Sequence, residues 1–462
     1  MQTQHLAMRQ FHADLETPVS AYLKLRGADP WSFLLESVEG RERWAAYSII
    51  GVGARRVWTC QDGTLQMSEA GAVRSEAAAD PLSAMRQALK TAPLSHYPGS
   101  PPFVGGVFGF LSYDAVRFFE RLPGVPGEAE VPDALFVEPE LLAVFDNRRY
   151  TLTLYAHDPA HLATAVKHLG GPLPRHPTPA GWQAPTVCDT REAYQSAVRA
   201  AQEHIRAGDI IQAVLSRRFE LPRVADPFDV YRGLRGINPS PYLYYFNSPR
   251  LQIAGASPEV MVRVLCGNMT VRPIAGTRPR GRDAPHDAAL AAELVADPKE
   301  RAEHIMLVDL GRNDVGRVAA AGSVRVTDLM IVEHYSHVMH MVSEVHGQLD
   351  PRYDVFDAVR AAFPTGTLSG APKVRAMQII DTLEQRRRGL YGGAVGYFGP
   401  HGDADFGIAI RTLVAHGTKF VIQAGAGIVA DSDPAREADE TEQKAEAVLR
   451  ATRWAASGEA AW

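Results

Sequence analysis

Cysteine and long apolar runs are scarce in this sequence, and each scarcity excludes a class of protein. The 462 residues include three cysteines, Cys60, Cys188 and Cys266, which lie far apart along the chain. That spacing excludes a disulfide framework and a Cys-x-x-Cys metal site, and it is typical of a reducing cytoplasm. No apolar run approaches the ~18 residues of a membrane-spanning helix, and residues 1–16 lack the apolar core of a signal peptide. We therefore expect a cytoplasmic protein with no membrane partner.

Neither sign of charge dominates, and several familiar motifs are missing. There are 48 basic and 53 acidic residues, which give a formal net charge of −5, and the two kinds are interspersed. A nucleic-acid partner is therefore not expected. The segment GTLSGAPK, 366–373, does not have the spacing of a nucleotide-binding GxxxxGK[ST] loop. No GxSxG elbow or catalytic-cysteine frame is present, so covalent acyl chemistry has little support.

A stretch rich in proline and glycine divides the chain. Residues 170–186 read GGPLPRHPTPAGWQAPT and have no hydrophobic period, as expected of a connector. We place an N-terminal part at 1–170, the connector at 171–188 and a C-terminal domain at 189–455.

Short apolar runs separated by turns dominate the rest of the pattern. After the connector, Asp189 and Glu192 have the spacing of a capping box at the start of a helix. Hairpin-like neighbours outnumber strand–helix alternations, so we predict an α+β fold with large, mainly antiparallel sheets flanked by helices. The clearest predicted strands are 43–51, 103–110, 149–155 and 210–215.

Two polar clusters follow predicted strands in the C-terminal domain. In GASPEVMV, Glu259 follows a turn between two apolar strands, where partial burial would raise its pKa and suit it to act as a general acid. A solvated turn carboxylate is the alternative. In PIAGTRPRG, Gly276 and Thr277 offer an open backbone and a hydroxyl, surrounded by Arg272, Arg278 and Arg280. An anion site and a solvent-facing basic loop explain that segment equally well.

Two further clusters lie at helix starts. Asp297 and Pro298 begin a helix that projects Glu300, Glu303 and His304 from one side. Carboxylates on adjacent turns can bind a hard cation such as Mg²⁺, although a surface carboxylate pair is the alternative.

Near the C-terminus, QAGAGIVADSDP places glycines at a strand end, where bare N–H groups can approach a carboxylate. The helix after Asp433 and Pro434 carries Glu440 and Lys444 on one stripe, which can also be a surface salt bridge.

The segment PTGTLSGAPKVRAMQII, 364–380, is typical of a turn that leads into a helix. Gly370 and Pro372 suit a tight turn and a first helical position, so backbone N–H groups and Lys373 would face an anion.

In their order and spacing, these segments resemble the chorismate-utilising enzymes, and among them the large subunits of the anthranilate synthases. The resemblance is strong over about 190–452 and extends weakly to the N-terminal part through FLLESVEG and YSIIG. It implies two intimately packed parts, chorismate as the substrate and Mg²⁺ as the cofactor. The segments that carry it are GASPE, PIAGTRPRG, EHIMLVDLGRND, YSHVMHMVSEV, PTGTLSGAPKVRAM, YGGAVGYF, IRTLV and QAGAGIVADSDPAREADET.

The resemblance also implies roles for individual residues. Arg411 and Tyr391 would hold the enolpyruvyl carboxylate of chorismate, and Mg²⁺ with glycine amides would hold the ring carboxylate. The implied metal ligands are Glu303 and Glu440, with Glu300 as a neighbouring candidate. The implied catalytic residues are Glu259, His340, Thr367 and Gln212. The implied substrate-binding residues are Gly276, Thr277, Tyr391, Arg411, Gly425, Ala426, Gly427 and Lys444.

The implied reaction is amination of chorismate to anthranilate with loss of pyruvate. Glu259 would protonate the departing C4 hydroxyl, with His340 nearby, although a core histidine is the alternative for the latter. Gln212 stands where water-adding relatives carry a lysine base, and Ala275 stands where many aminodeoxychorismate synthases carry a lysine. Both positions favour anthranilate. An aminodeoxychorismate synthase serving folate synthesis is the rival, and a catalytically silent, amino-acid-sensing subunit is the rival of another class.

The resemblance further implies tryptophan biosynthesis with feedback inhibition. No glutaminase frame follows residue 455, so a glutamine amidotransferase subunit would supply ammonia within a heterotetramer or larger assembly. Leu243 stands where many relatives have methionine and Ala46 where many have arginine. A strand end packed on the core is the alternative for LLES. The implied tryptophan-binding residues are Leu35, Glu36, Ser37, Pro241, Tyr242 and Leu243.

Overall fold

The computed structural model describes residues 6–37, 47–78, 80–91, 100–124, 129–174, 179, 181–335 and 338–459. The strands are β1 (Ala7–His12), β2 (Ser32–Glu36), β3 (Tyr47–Val52), β4 (Arg56–Gln61), β5 (Thr64–Glu69), β6 (Ala72–Ala77), β7 (Val107–Leu111), β8 (Ala134–Glu138), β9 (Leu141–Asp146), β10 (Thr151–Ala156), β11 (Thr186–Val187), β12 (Gln212–Pro222), β13 (Tyr242–Asn247), β14 (Leu251–Ser257), β15 (Val260–Leu265), β16 (Asn268–Val271), β17 (Ile274–Pro279), β18 (Arg325–His334), β19 (Val338–Gln348), β20 (Gly370–Ala371), β21 (Ala394–Phe398), β22 (Ala404–Ile408), β23 (Thr412–His416) and β24 (Lys419–Ile428).

The helices are α1 (Pro18–Arg26), α2 (Pro81–Thr91), α3 (Pro159–Leu169), α4 (Arg191–Arg206), α5 (Pro227–Ile237), α6 (Ala284–Ala296), α7 (Pro298–Gly316), α8 (Val355–Ala362), α9 (Lys373–Glu384) and α10 (Pro434–Ser457). Two 3₁₀ turns span Tyr113–Phe118 and Gly366–Leu368. Among the described helices, none is both long and apolar enough to cross a membrane.

The strands form two antiparallel sheets, which confirms the predicted α+β fold. The first sheet has the order β1-β10-β9-β3-β2-β13-β14-β23-β24-β12-β11, with β20 also paired to β12. The second has the order β17-β19-β16-β15-β22-β21-β7-β8-β4-β5-β6, with β18 also paired to β19. Strands from both sides of the connector meet within each sheet, because β2 pairs with β13 and β7 pairs with β21. The two predicted parts are therefore joined through continuous sheets.

Aromatic side chains fill the space between the two sheets. Phe33 of the first sheet stacks on Phe108 of the second with ring centroids 4.6 Å apart, and both are buried. The outer face of the first sheet packs against α1, α3, α5 and α10, whereas α2 and α8 cover the second. Helix α4 shows the expected periodicity, since Tyr194, Val198 and Ala201 lie on one side of it and all are buried.

Several predicted boundaries move in the structure. The predicted strands at 43–51, 103–110, 149–155 and 210–215 correspond to β3, β7, β10 and β12, and 43–46 lie outside the described residues. The capping-box prediction for Asp189 is wrong, because Thr190 is the N-cap of α4 and accepts the Ala193 N–H. The Asp189 carboxylate instead accepts the Arg218 N–H and pairs with Arg386.

Two helix starts agree with the sequence and one differs. Asp297 and Asp433 are N-caps of α7 and α10, each followed by proline. Pro372, predicted at the first helical position, is the extended N-cap residue of α9. Gly370 has φ of +140° and pairs with β12, so the turn before α9 is held by a sheet edge.

Candidate active site

Two of the places where the chain passes from one sheet to the other lie next to each other. Pro258 and Glu259 link β14 of the first sheet to β15 of the second, and Arg411 lies just before the chain re-enters the first sheet at β23. The two crossings bond to each other, since the Ile408 N–H donates to the Glu259 carbonyl at 3.0 Å and the Ala256 N–H to the Arg411 carbonyl at 3.2 Å. This brings an acidic and a basic side chain to one opening between the sheets.

Glu259 is a partly buried carboxyl with a single hydroxyl partner. Its Oε2 accepts a hydrogen bond from Thr367 Oγ1 at 3.0 Å. Burial raises the pKa of Glu259, while the Thr367 hydrogen bond and the charges of Lys444 and Arg411 oppose that effect. A carboxyl whose pKa is raised holds its proton to higher pH than an exposed carboxyl, which suits it to act as an acid.

Arg411 and Tyr391 lie beside Glu259. Arg411 Nη1 donates to the Lys444 carbonyl at 2.6 Å. Burial lowers the pKa of Arg411, and the charges of Glu259, Tyr391 and Glu440 oppose that shift, which places these groups in one electrostatic neighbourhood. Burial also raises the pKa of Tyr391, so its hydroxyl is a neutral donor.

The glycine-rich end of β24 directs two amide groups toward this opening. Gly425 and Gly427 lie opposite Ser216 and Val214 of β12. Those two partners use their own N–H groups on the far edge of β12, so both are non-hydrogen-bonded pairs. The amides of Gly425 and Gly427 therefore point away from β12, the side on which Lys444 Nζ donates to the Gly425 carbonyl at 3.0 Å.

The neighbours of these glycines limit what can replace them. Ala426 alternates with them, so its amide lies within the β12 ladder. A Cβ on Gly425 would lie 2.5 Å from the Tyr391 hydroxyl oxygen, and one on Gly427 would lie 2.4 Å from Gln212 Nε2. At Gly425 the backbone oxygen of Leu215 would also lie 2.6 Å away, so glycine is needed there, whereas a side chain at Gly427 would have to displace Gln212.

Three carboxylates face one another across α7 and α10. Burial raises the pKa of Glu303, and the negative charges of Glu300 and Glu440 raise it further, whereas a hydrogen bond from Gln212 lowers it. Glu440 pairs with Lys444 at 2.6 Å, and Glu300 Oε1 lies 3.3 Å from Arg278 Nη1. The predicted i,i+4 salt bridge is therefore present, and two of the three carboxylates already hold a cationic side chain.

The donor set suits a hard cation, although the side chains are not gathered around one. Within the described ranges, no group of three or more His, Cys, Asp or Glu side chains is arranged to hold a metal ion. Gln212 Oε1 is buried without a hydrogen-bond partner next to Glu303. An orphaned amide oxygen and mutually repelling carboxylates are what an oxygen-preferring cation such as Mg²⁺ would satisfy.

His340 and Thr277 form the opposite wall, on neighbouring strands β19 and β17. His340 Nδ1 lies 3.1 Å from Thr277 Oγ1 and 3.2 Å from the Gly276 carbonyl oxygen. Burial lowers the pKa of His340, which favours a neutral ring. Gly276 has φ of +69°, which favours glycine, and a Cβ there would lie 2.9 Å from Leu294 Cδ1 and 3.0 Å from Glu300 Oε2.

Other predicted residues have structural partners instead. His304 does not project with the two glutamates, because it is fully buried, its Nε2 lies 2.6 Å from Ser343 Oγ and burial lowers its pKa to about 4. Lys373 is not available for an anionic ligand, since its Nζ lies 2.8 Å from both carboxylate oxygens of Asp314. Arg278 and Arg280 also pair with carboxylates, which removes support for an anion site built from them.

The predicted tryptophan-binding residues lie on two faces of one strand pair. Leu35 and Tyr242 face the core between the sheets, whereas Leu243 faces the helical layer. Glu36, opposite Leu243, is buried on that second face. Ser37 Oγ is buried and has no hydrogen-bond partner among the described residues, and Pro241 precedes β13. Ala46 lies outside the described residues.

Arg388 lies under the site beside Tyr391, and the sequence did not predict a role for it. It is buried, pairs with Glu384 at 2.6 Å, and lies 5.6 Å from the centre of the Tyr391 ring. Its guanidinium also donates to the carbonyls of Leu368 and Val214. The run of three arginines, 386–388, before GLYGG was the available signal, but it does not show which of the three is buried.

Residues 33–450 match the family model described as chorismate binding enzyme. The chain belongs to this family.

Two relatives and two solved structures show its place within that family. The chain is 50% identical to anthranilate synthase component 1 of Thermus thermophilus, covering 97% of this chain and 98% of that one. It is 46% identical to the protein of that name from Pseudomonas aeruginosa, covering 95% and 93%. The crystal structure of anthranilate synthase component I from Streptococcus pneumoniae matches with a TM-score of 0.79 and 36% identity, covering 96% and 99%. The menaquinone-specific isochorismate synthase from Escherichia coli shares the fold, with a TM-score of 0.71 at 18% identity over 97% and 95%.

Proposed function

We propose that this chain is the chorismate-converting component of an anthranilate synthase, which turns chorismate and ammonia into anthranilate, pyruvate and water. The observation that carries the proposal is the partly buried Glu259, with a raised pKa, beside Arg411 and Tyr391 at the crossing between the sheets. Sequence identities of 50% and 46% to proteins named anthranilate synthase component 1, over nearly the full length of the chain, support the same reaction.

The side chains of the site divide the work on the substrate. Arg411 and the neutral Tyr391 hydroxyl would hold the enolpyruvyl carboxylate, a charge-assisted arrangement. Glu259 would give its proton to the C4 hydroxyl, since hydroxide leaves poorly unless protonated. His340, neutral and held by the Gly276 carbonyl, would lie next to that hydroxyl. Gln212 cannot remove a proton from water, which favours ammonia as the nucleophile.

The ring carboxylate would meet the other half of the site. The amides of Gly425 and Gly427 would donate to it, and Lys444 would add positive charge. Glu303 and Glu440 would hold Mg²⁺, with Glu300 adjacent, once Glu440 gives up its bridge to Lys444. When bound, the ion offsets the charge on the ring carboxylate as the π electrons shift.

The proposal extends to a partner and an inhibitor. The name component 1 of the relatives supports a second component, which we take to be a glutaminase that supplies ammonia. Tryptophan would bind at β2 and β13, where the Ser37 hydroxyl has no partner in the part of the chain that the structure describes. The assembly would serve tryptophan biosynthesis in the cytoplasm.

Product identification tests the proposal. The purified chain with chorismate, ammonium and Mg²⁺ should form fluorescent anthranilate without a separate lyase enzyme. Omission of ammonium should abolish anthranilate formation. Formation of 4-amino-4-deoxychorismate would identify the folate enzyme instead. Tryptophan binding without turnover would identify a sensing subunit.

A further inference from the structure

Glu259 must regain a proton after every turnover if the proposed function is correct. The acid starts as a carboxylic acid and ends as a carboxylate when the C4 hydroxyl leaves as water. Bound products would still cover the opening at that moment, so a route through the protein would let the carboxylate regain its proton before they leave. The following inference rests on the proposed function.

A pair of threonine hydroxyls leads inward from the acid. Thr367 Oγ1 donates to Glu259 Oε2 at 3.0 Å, and Thr365 Oγ1 lies 3.1 Å from Thr367 Oγ1. Because the Thr367 hydroxyl donates its own proton to the hydrogen bond with Glu259, its oxygen can only accept the hydrogen bond from Thr365. Both bonds therefore point toward the carboxylate, the direction in which a proton must travel.

The threonines border a small cavity that charged side chains also line. It has a volume of about 40 Å³, and its polar lining comprises Glu259, Thr365, Thr367, Asp314 and Arg272, the last of which pairs with Glu333, with apolar side chains such as Leu310 beside them. A water needs roughly 10–15 Å³ of such volume and two or more polar partners, so about two or three waters fit. Waters here would join the Thr365 hydroxyl to the Asp314 carboxylate.

Asp314 also borders the outside. It is 5% exposed, yet it lines a second, larger cavity of about 440 Å³ together with Asn313, Arg317 and Lys373. Both of its oxygens lie 2.8 Å from Lys373 Nζ. Burial raises the pKa of Asp314, and the Lys373 charge opposes that effect. One carboxylate is therefore shared by the inner and the outer cavity.

We infer that Asp314 and Lys373 form the outer end of a proton path that reloads Glu259 through Thr365 and Thr367. A proton enters from solvent at the outer cavity, and Asp314 passes one to the inner waters. Thr365 accepts a proton from water as it gives its own to Thr367, and Thr367 gives its own to the Glu259 carboxylate. Each hydroxyl gains one proton and loses one, so only Glu259 changes charge at the inner end. The added ammonia becomes an ammonium group when its C–N bond forms, and the proton it then loses to solvent balances the one taken up along the path. Asp314 is a positioning residue, because it acts on the substrate only through Glu259.

Steady-state kinetics in H₂O and D₂O test the path. Asp314→Asn and Thr365→Val should each lower kcat about tenfold or more while KM for chorismate stays unchanged, because reprotonation becomes slow. Both variants should show a larger solvent isotope effect than the wild type. Thr365→Ser keeps the hydroxyl and should stay close to wild type. Asp309→Asn, an exposed change on the same helix, is the matched control.

Chemical rescue separates this role from a structural one. Acetic acid or imidazolium should restore part of the Asp314→Asn activity, because a small acid can enter the outer cavity and donate in place of Asp314. Thr365→Val tests the path even if Asp314→Asn fails to fold. If the wild type forms anthranilate and Thr365→Val has an unchanged kcat, the proton path is wrong but the proposed function stands. A folded Asp314→Asn variant that no small acid rescues would overturn the path in the same way. Absence of anthranilate from the wild type would overturn the proposed function as well.

Discussion

Glu138, at the end of β8, and Glu259, before β15, both lose hydration, but their surroundings differ. Glu138 bonds to Arg56, accepts from Arg55 Nη1 at 2.9 Å and lies 3.2 Å from His157 Nε2. Burial alone would raise its pKa, but His157, Arg56 and Arg55 together lower it to about 2. Glu259 has one hydroxyl and more distant cations, and its pKa is raised.

The difference separates a carboxylate that holds the fold from one kept for chemistry. A buried charge surrounded by cations is stable only as a charge, whereas a carboxyl with one hydroxyl partner can gain and lose a proton. Glu36 belongs with Glu138, since Tyr231 bonds to it and Arg235 Nε donates at 2.9 Å. We therefore interpret Glu36 as a structural group beside the proposed tryptophan site.

Replacing the acid should have the largest effect on activity and little on the fold. Glu259→Gln should lower kcat by about 10²- to 10⁴-fold, as expected for loss of a general acid, with little change in chorismate binding. In the wild type, kcat should fall as pH rises through the raised pKa of Glu259. Anthranilate fluorescence under single-turnover conditions measures the step.

The same variant reports on stability with a definite sign. Because the folded pKa of Glu259 lies above its unfolded value, its contribution to stability is present at low pH and is lost as pH rises through the folded pKa. Glu259→Gln should therefore be at least as stable as the wild type at pH 7 in urea unfolding. Clear destabilisation at pH 7, or unchanged turnover, would contradict the role of an acid.

Glu138→Gln should give the opposite result. Breaking a buried ion network leaves uncompensated charge, so the free energy of unfolding should fall by about 3 kcal/mol, while kcat per folded molecule stays unchanged. The wild type should lose the stability due to Glu138 as pH falls from 4.5 toward 2, because the folded pKa is lowered. Urea unfolding between pH 7 and 3 measures both effects, and the variant should lack this pH dependence. Loss of turnover in fully folded Glu138→Gln would break the comparison.

The inhibitor site offers an intermediate test. Ser37→Ala should weaken tryptophan inhibition about tenfold, the effect of one lost hydrogen bond of ~1–1.5 kcal/mol, without changing kcat. Glu36→Gln is the matched variant, and it should lower stability more than it changes inhibition, since Glu36 is already paired. Titration of tryptophan against anthranilate formation decides between them. Equal inhibition of wild type and Ser37→Ala would remove Ser37 from the site.

Local chemistry could be predicted from the sequence, whereas distant pairing could not. Asp297 and Asp433 were recognisable as caps because Asp-Pro at a helix start acts within one turn. The turn that carries Glu259 was recognisable because apolar strands flank it. The fold class followed from hairpin-like neighbours, but the pairing of β2 with β13 joins segments far apart in the chain. No local pattern specifies such a pair.

The same limit explains which polar residues were misassigned. Lys373 was expected to face an anion, but its partner Asp314 lies on another helix. His304 shares a helical side with Glu300 and Glu303 by spacing, yet β19 buries it against Ser343. Charge and spacing predict which side chains can do chemistry, and tertiary packing decides which of them are left without a structural partner.

The start of α4 gives the smallest expected effect and tests this limit directly. Thr190→Ala should lower the free energy of unfolding by about 1 kcal/mol, because the Ala193 N–H loses its capping oxygen. Asp189→Ala, one residue earlier, should act through its partners on β12 and Arg386 instead. A double-mutant cycle of Asp189→Ala with Arg386→Ala should show coupling, and one of Thr190→Ala with Arg386→Ala should show none beyond the experimental error. Coupling of Thr190 to Arg386 would mean that the helix cap and the Asp189–Arg386 ion pair act as one unit. The roles of Asp189 and Thr190 could then not be separated.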